Sequence, residues 1–95
     1  MTVYISGKIT GCKHYKEYFQ TAEDEFTKRG VKVINPAKLE GLSCLSYEDI
    51  LKIDFQLMDK ADAVFLLPNW TDSFGAFREY CYAIATGKQI YGGKE

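Results

Sequence analysis

DAVFLLPNWTDSFG, residues 62–75, runs from the most apolar segment of the chain straight into a helix start. DAVFLL (62–67) has almost no polar alternation. It therefore reads as a strand buried on both faces, the pattern of a parallel sheet covered by helices. Pro68 ends the strand. Asp72 and Ser73 are natural N-caps for a helix from Phe74 to Thr86, closed by Gly87.

Outward from this stretch the same alternation repeats. TVYIS (2–6) is short, β-branched and aromatic, as a strand should be. Tyr15, Phe19, Ala22 and Phe26 follow a helical period that ends at Gly30. VKVI (31–34) is a second strand, stopped by Asn35-Pro36, and a polar loop around Gly41 follows. Ser46, with Asp49 three residues on, caps a helix over 47–60. KQIY (88–91) is a fourth strand. Strand and helix alternating three times predict an α/β fold with a parallel sheet, as one domain over residues 1–95. In such sheets ligands bind outside the carboxyl ends of the strands. Here those ends are Ser6-Gly7-Lys8, Asn35-Pro36 and Pro68 to Asp72, so all three loops share one edge.

Composition narrows the function. A net charge of −1 argues against a nucleic-acid polymer as partner. No apolar run approaches the ~18–20 residues of a membrane span, and the N-terminus lacks the pattern of a signal peptide. Cys12, Cys44 and Cys81 form neither a CxxC pair nor a disulfide framework. They read as small buried hydrophobes in a reducing cytoplasm. Without secretion, the acceptor pattern Asn69-Trp70-Thr71 carries no weight. His14 is the single histidine, and Cys and His are too sparse for a metal site to be expected.

Two carboxylates could carry chemistry. Ile50, Leu57, Met58 and Ala61 share the helix face of Asp54, which places a carboxylate inside the stripe that packs on the sheet. A buried charge is costly alone, so Asp54 is either tied to a strand-end loop or lines a cavity. Glu79 has Ala76 and Ala83 beside it, but the main apolar face of its helix runs through Phe77, Cys81 and Ile84. By spacing alone Glu79 reads as a solvated helix residue. SGKITG offers two glycines and Lys8 at a strand end without being a phosphate loop, and Gly75 keeps the first helix turn open. Tyr4, Tyr15 and Trp70 could stack on a base, although aromatics in a small protein more often form core.

Together these pieces resemble the nucleoside 2-deoxyribosyltransferase-like superfamily, and most of all its short branch found in phages and bacteria. They are VYISGKITG, INP, the Asp54 eight residues before DAVFLLPNW, and DSFGAFREY with the later Ala and Gly-Lys. The resemblance implies a three-layer flavodoxin/Rossmann-like parallel sheet of about four strands flanked by helices. It implies cleavage or transfer at the N-glycosidic bond of a (deoxy)nucleoside or its 5′-monophosphate, without a cofactor. Glu79 matches the nucleophile and Asp54 the residue acting near the leaving base or sugar. Tyr4 and Gly7 match the first loop. Ser73 matches the 5′-phosphate ligand of the nucleotide-hydrolysing relatives, and Asp72 lies one residue from the transferases' aspartate. The usual proline after Gly7 is Lys8 here, which favours a phosphate-bearing ligand. With Ser6 and Asn35 at the strand ends, these residues form the expected substrate site. A homodimer or higher homo-oligomer is expected from the family and from size, since 95 residues give a modest core. The alternative to an enzyme is a module that binds or sequesters a nucleotide without turning it over.

Overall fold

The computed structural model describes residues 1–39 and 44–93, and the loop expected around Gly41 lies outside them. Strand β1 (Thr2–Ser6) leads to α1 (Tyr15–Lys28), and β2 (Lys32–Ile34) to a 3-10 turn (Pro36–Leu39). Then come α2 (Tyr47–Asp59), β3 (Ala63–Leu66), a second 3-10 turn (Trp70–Asp72), α3 (Phe74–Ala85) and β4 (Gln89–Gly92). All four strands are parallel, in the order β2-β1-β3-β4. The expected α/β class, the flanking helices and each element are present, with ends within one or two residues of the sequence reading.

The helix starts are chemical. Ser46 Oγ accepts from the Asp49 amide and Asp49 Oδ2 accepts from the Ser46 amide, both at 3.1 Å, which completes the expected capping box. Of the two cap candidates before α3, Ser73 takes the role, accepting from the Ala76 amide at 3.1 Å. Asp72 belongs instead to the preceding 3-10 turn.

Strand alternation sorts the core into two faces. Ile5 packs with Phe19 and Ala22 of α1 and with Leu67. Tyr4 packs with Met58 of α2, with Val64 and Leu66, and with Ala83 of α3. Thus α1 covers one face of the sheet and α2 with α3 the other, giving three layers. Burying each such large apolar side chain stabilises the fold by about 1.5–3 kcal/mol. α2 and α3 are also tied to each other. The Phe55 and Tyr82 rings stack 4.4 Å apart, and the Tyr82 hydroxyl donates to Asp59 Oδ1 at 2.5 Å.

The chain steps from β1 to β2 on one side, then crosses to β3 and β4 on the other. The switch point lies between the carboxyl ends of β1 and β3, where doubly wound sheets place their ligands. No helix among the described residues is long and apolar enough to cross a membrane.

Candidate functional site

At the switch point the sheet presents two hydroxyls to one carboxyl. Tyr4 and Ser6 are two residues apart on β1, so both point toward α2 and α3. The Tyr4 hydroxyl donates to Glu79 Oε2 and the Ser6 hydroxyl to Glu79 Oε1, each at 2.7 Å. Tyr4 and Ser6 are fully buried, and Glu79 is only 6% exposed. Burial pushes the Glu79 carboxyl above its ordinary range, opposed by hydrogen bonds from Ser6, Tyr4 and Asp54. Burial, and then the charges of Glu79 and Asp54, hold the Tyr4 phenol well above its usual value, so it stays a neutral donor.

Asp54 completes the cluster from α2, where it is buried in the same stripe as Leu51 and Met58. Its carboxyl hydrogen-bonds Glu79. Two carboxyls this close do not titrate independently of each other.

Above the pair opens a cavity of about 340 Å³. Gly7, Asp54, Asp72, Ser73, Gly75 and Glu79 are all on its wall. Tyr4 and Ser6 lie beneath it as the supports of Glu79. Gly7 has a packing reason of its own: a Cβ there would lie 2.6 Å from Leu67 Cδ1 and 2.9 Å from Leu67 Cβ. At Gly75 a Cβ would come 3.2 Å from the Tyr47 hydroxyl. Ser73 spends its side-chain oxygen on the helix cap.

Two expected ligand residues are elsewhere. Lys8 is not on the cavity wall; its amide donates to Asn69 Oδ1 at 3.1 Å, which fastens the β1 loop to the β3 loop. Asn35 closes the turn after β2, donating to Glu23 Oε1 of α1 at 3.0 Å and accepting from the Ala37 amide at 3.1 Å. Both stand at the right edge, but the Asn35 side chain is spent on its own turn and on Glu23, and Lys8 is off the cavity wall. A second cavity, of about 550 Å³, lies on the α1 side between Phe26 and Phe65 and holds none of the Glu79 network.

The largest correction concerns α3. Phe77 is 49% and Ile84 56% exposed, and Cys81 is exposed too. The face turned inward carries Ala76, Glu79 and Ala83. Small residues let the helix approach the sheet closely, and the Tyr4 and Ser6 hydroxyls supply what a buried carboxyl needs. The solvated reading of Glu79 therefore fails. So does the buried reading of the cysteines, since Cys44 is exposed and Cys12 half-buried. Trp70 packs on Tyr80, with ring centres 4.8 Å apart, and Tyr15 packs against the α1-side core. Neither is on the cavity wall.

Sequence reasoning missed Tyr47 and Phe74, which both line the cavity. The signal was available: each follows directly on the serine that caps its helix, and both caps face the same sheet edge. Among the described residues no group of three or more His, Cys, Asp or Glu is placed to hold a metal ion.

Residues 1–91 match the family model of a domain of unknown function, DUF4406, and the chain belongs to that family. No curated protein matches the chain.

Proposed function

We propose that this DUF4406 protein cleaves or exchanges the N-glycosidic bond of a (deoxy)nucleoside or its 5′-monophosphate, with Glu79 as nucleophile, in the manner of the nucleoside 2-deoxyribosyltransferase-like superfamily. The observation that carries the reading is the pair of 2.7 Å hydrogen bonds from Tyr4 and Ser6 to the two oxygens of one buried carboxyl at the floor of a cavity. With Tyr4, Ser6 and Asp54 each on one lone pair, the carboxylate keeps one for attack. The hydroxyls fix the direction of that attack, and such pre-set geometry is what intramolecular catalysis exploits.

In the first step a Glu79 oxygen bonds to C1′ of the sugar as the bond from C1′ to the base nitrogen breaks. The electron pair leaves with the base, which takes a proton from Asp54. The step requires Glu79 as carboxylate and Asp54 as acid. In the second step water, or an acceptor base, adds at C1′ and gives its proton to Asp54, and Glu79 departs as carboxylate. Two displacements with an oxocarbenium-like sugar follow the logic of retaining glycosidases. The entering sugar replaces the hydrogen bond between the two carboxyls.

The test is base release. The protein is incubated with the common deoxynucleosides and their 5′-monophosphates, with and without an acceptor base, and free bases are resolved by chromatography. Release above that of Glu79→Gln supports the reading; equal release from both defeats it. In this reading the protein works in the cytoplasm as a homodimer or higher assembly, with the exposed Phe77, Cys81 and Ile84 stripe of α3 as its apolar contact face. Sedimentation as a monomer at micromolar concentration would remove the assembly from the proposal.

A further inference from the structure

The cavity over Glu79 has a charge and a rim that bear on what enters it. Its wall carries three carboxyls, those of Asp54, Asp72 and Glu79, and no lysine or arginine among the described residues. Lys8, the cation expected to favour a phosphate, is off the wall. Arg78 of α3 is engaged outside it, 3.5 Å from Glu48 Oε1 and 5.8 Å from the centre of the Phe74 ring.

The remaining attraction for an anion is the N-terminus of α3, where free amides and the helix dipole favour negative charge. One of those amides is taken and a charge stands nearby: Ser73 Oγ accepts from the Ala76 amide, and the Asp72 carboxylate stands one residue before the cap. A phosphate arriving there meets an existing negative charge and, among the described residues, no lysine or arginine on the cavity wall.

The rim is aromatic. Phe74 is 73% and Tyr47 49% exposed, and both line the cavity. Rings of this size left in water gain by being covered, and a planar heterocycle is the shape that covers them. Gly75 keeps the space beside the Tyr47 hydroxyl open. At about 340 Å³ the cavity is near the lower end of ligand sites, which run from roughly 300 to 1,000 Å³.

We infer that the cavity takes an uncharged nucleoside, its base against the Tyr47 and Phe74 rings, and turns away the 5′-phosphorylated form. This inference rests on the glycosidic reading for the identity of the ligand class, and it chooses between the two substrate forms that reading leaves open.

Equilibrium binding tests it separately from turnover. The four common 2′-deoxynucleosides, their 5′-monophosphates and inorganic phosphate are titrated into the full chain by calorimetry and by saturation-transfer NMR. The recovered ligand is then chromatographed to separate binding from cleavage. At least one nucleoside binds, its monophosphate binds about tenfold more weakly or worse, and millimolar phosphate does not compete. Tyr47→Leu and Phe74→Leu each weaken nucleoside binding by about fivefold or more, the low end of what stacking one base contributes, with the melting temperature unchanged. Tyr18→Leu, on α1 and off the cavity wall, leaves binding as it was. A monophosphate that binds as tightly as its nucleoside overturns the inference. So does indifference to both rim substitutions, or the absence of binding by any nucleoside. Binding of this pattern without base release defeats the proposed chemistry and leaves the inference standing. Base release confined to monophosphates does the reverse.

Discussion

Replacing Glu79 by Gln removes a charge from beneath the cavity and keeps the side chain's shape. The folded-state pKa of Glu79 lies above its ordinary value of 4.5, chiefly because burial penalises the carboxylate. Below the ordinary value both folded and unfolded chains hold the proton, and the site contributes its full stability. As the pH rises, the unfolded chain releases the proton first, so stability falls by at most about 1.4 kcal/mol per pH unit. The loss is complete once the pH has passed the raised value. For a domain of this size that slope corresponds to a melting temperature falling by up to about 6–11 °C per pH unit. Gln cannot ionise, so Glu79→Gln lacks this loss. It is expected to gain on the wild type as the pH rises above the ordinary carboxyl value, while losing base release. Gln also offers one acceptor oxygen where Tyr4 and Ser6 now use two. That leaves a fixed cost of about 1–3 kcal/mol which does not vary with pH. Because Asp54 contributes to the Glu79 value, Asp54→Asn/Glu79→Gln serves as the reference lacking both carboxyls. The assay is urea unfolding of the three proteins across this pH range. The other titrating groups are common to all three and cancel in the differences. Wild-type and Glu79→Gln stabilities that run parallel with pH would refute the claim that Glu79 is held in a desolvated site.

Three further outcomes follow from the geometry. Gly7→Ala drives a Cβ to 2.6 Å from Leu67 Cδ1; it is expected to destabilise by about 1–3 kcal/mol, and Gly7→Ala/Leu67→Ala to show a favourable coupling in a double-mutant cycle measured by urea unfolding. Tyr4→Phe removes a donor that lowers the Glu79 pKa; the acid limb of base release should therefore move to higher pH, and the stability loss should grow as the pH rises above the ordinary carboxyl value. Ser46→Ala breaks the capping box of α2; a loss of about 1 kcal/mol is expected, with base release intact below the new melting temperature.

The elements themselves were legible because their signals are local. A doubly buried apolar run, a helical period ended by Gly30, and Ser46 paired with Asp49 are properties of short stretches, and each produced the element expected. The site was half legible. Asp54 stood out because a carboxylate inside an apolar stripe is an anomaly visible without a partner. Glu79 did not, because spacing made Phe77, Cys81 and Ile84 the natural inner face of α3. Its match to a family nucleophile pointed to it, while its own helix pointed away.

The sequence by itself determined the order and type of the elements, the parallel sheet and the edge at which its loops gather, since periodicity and capping act over a few residues. Only the tertiary structure decided which face of α3 turned inward. That choice depended on the Tyr4 and Ser6 hydroxyls, 75 and 73 residues away in the chain, reaching the Glu79 carboxyl. A buried charge is tolerable only where donors meet it, and no local pattern records where distant donors will be.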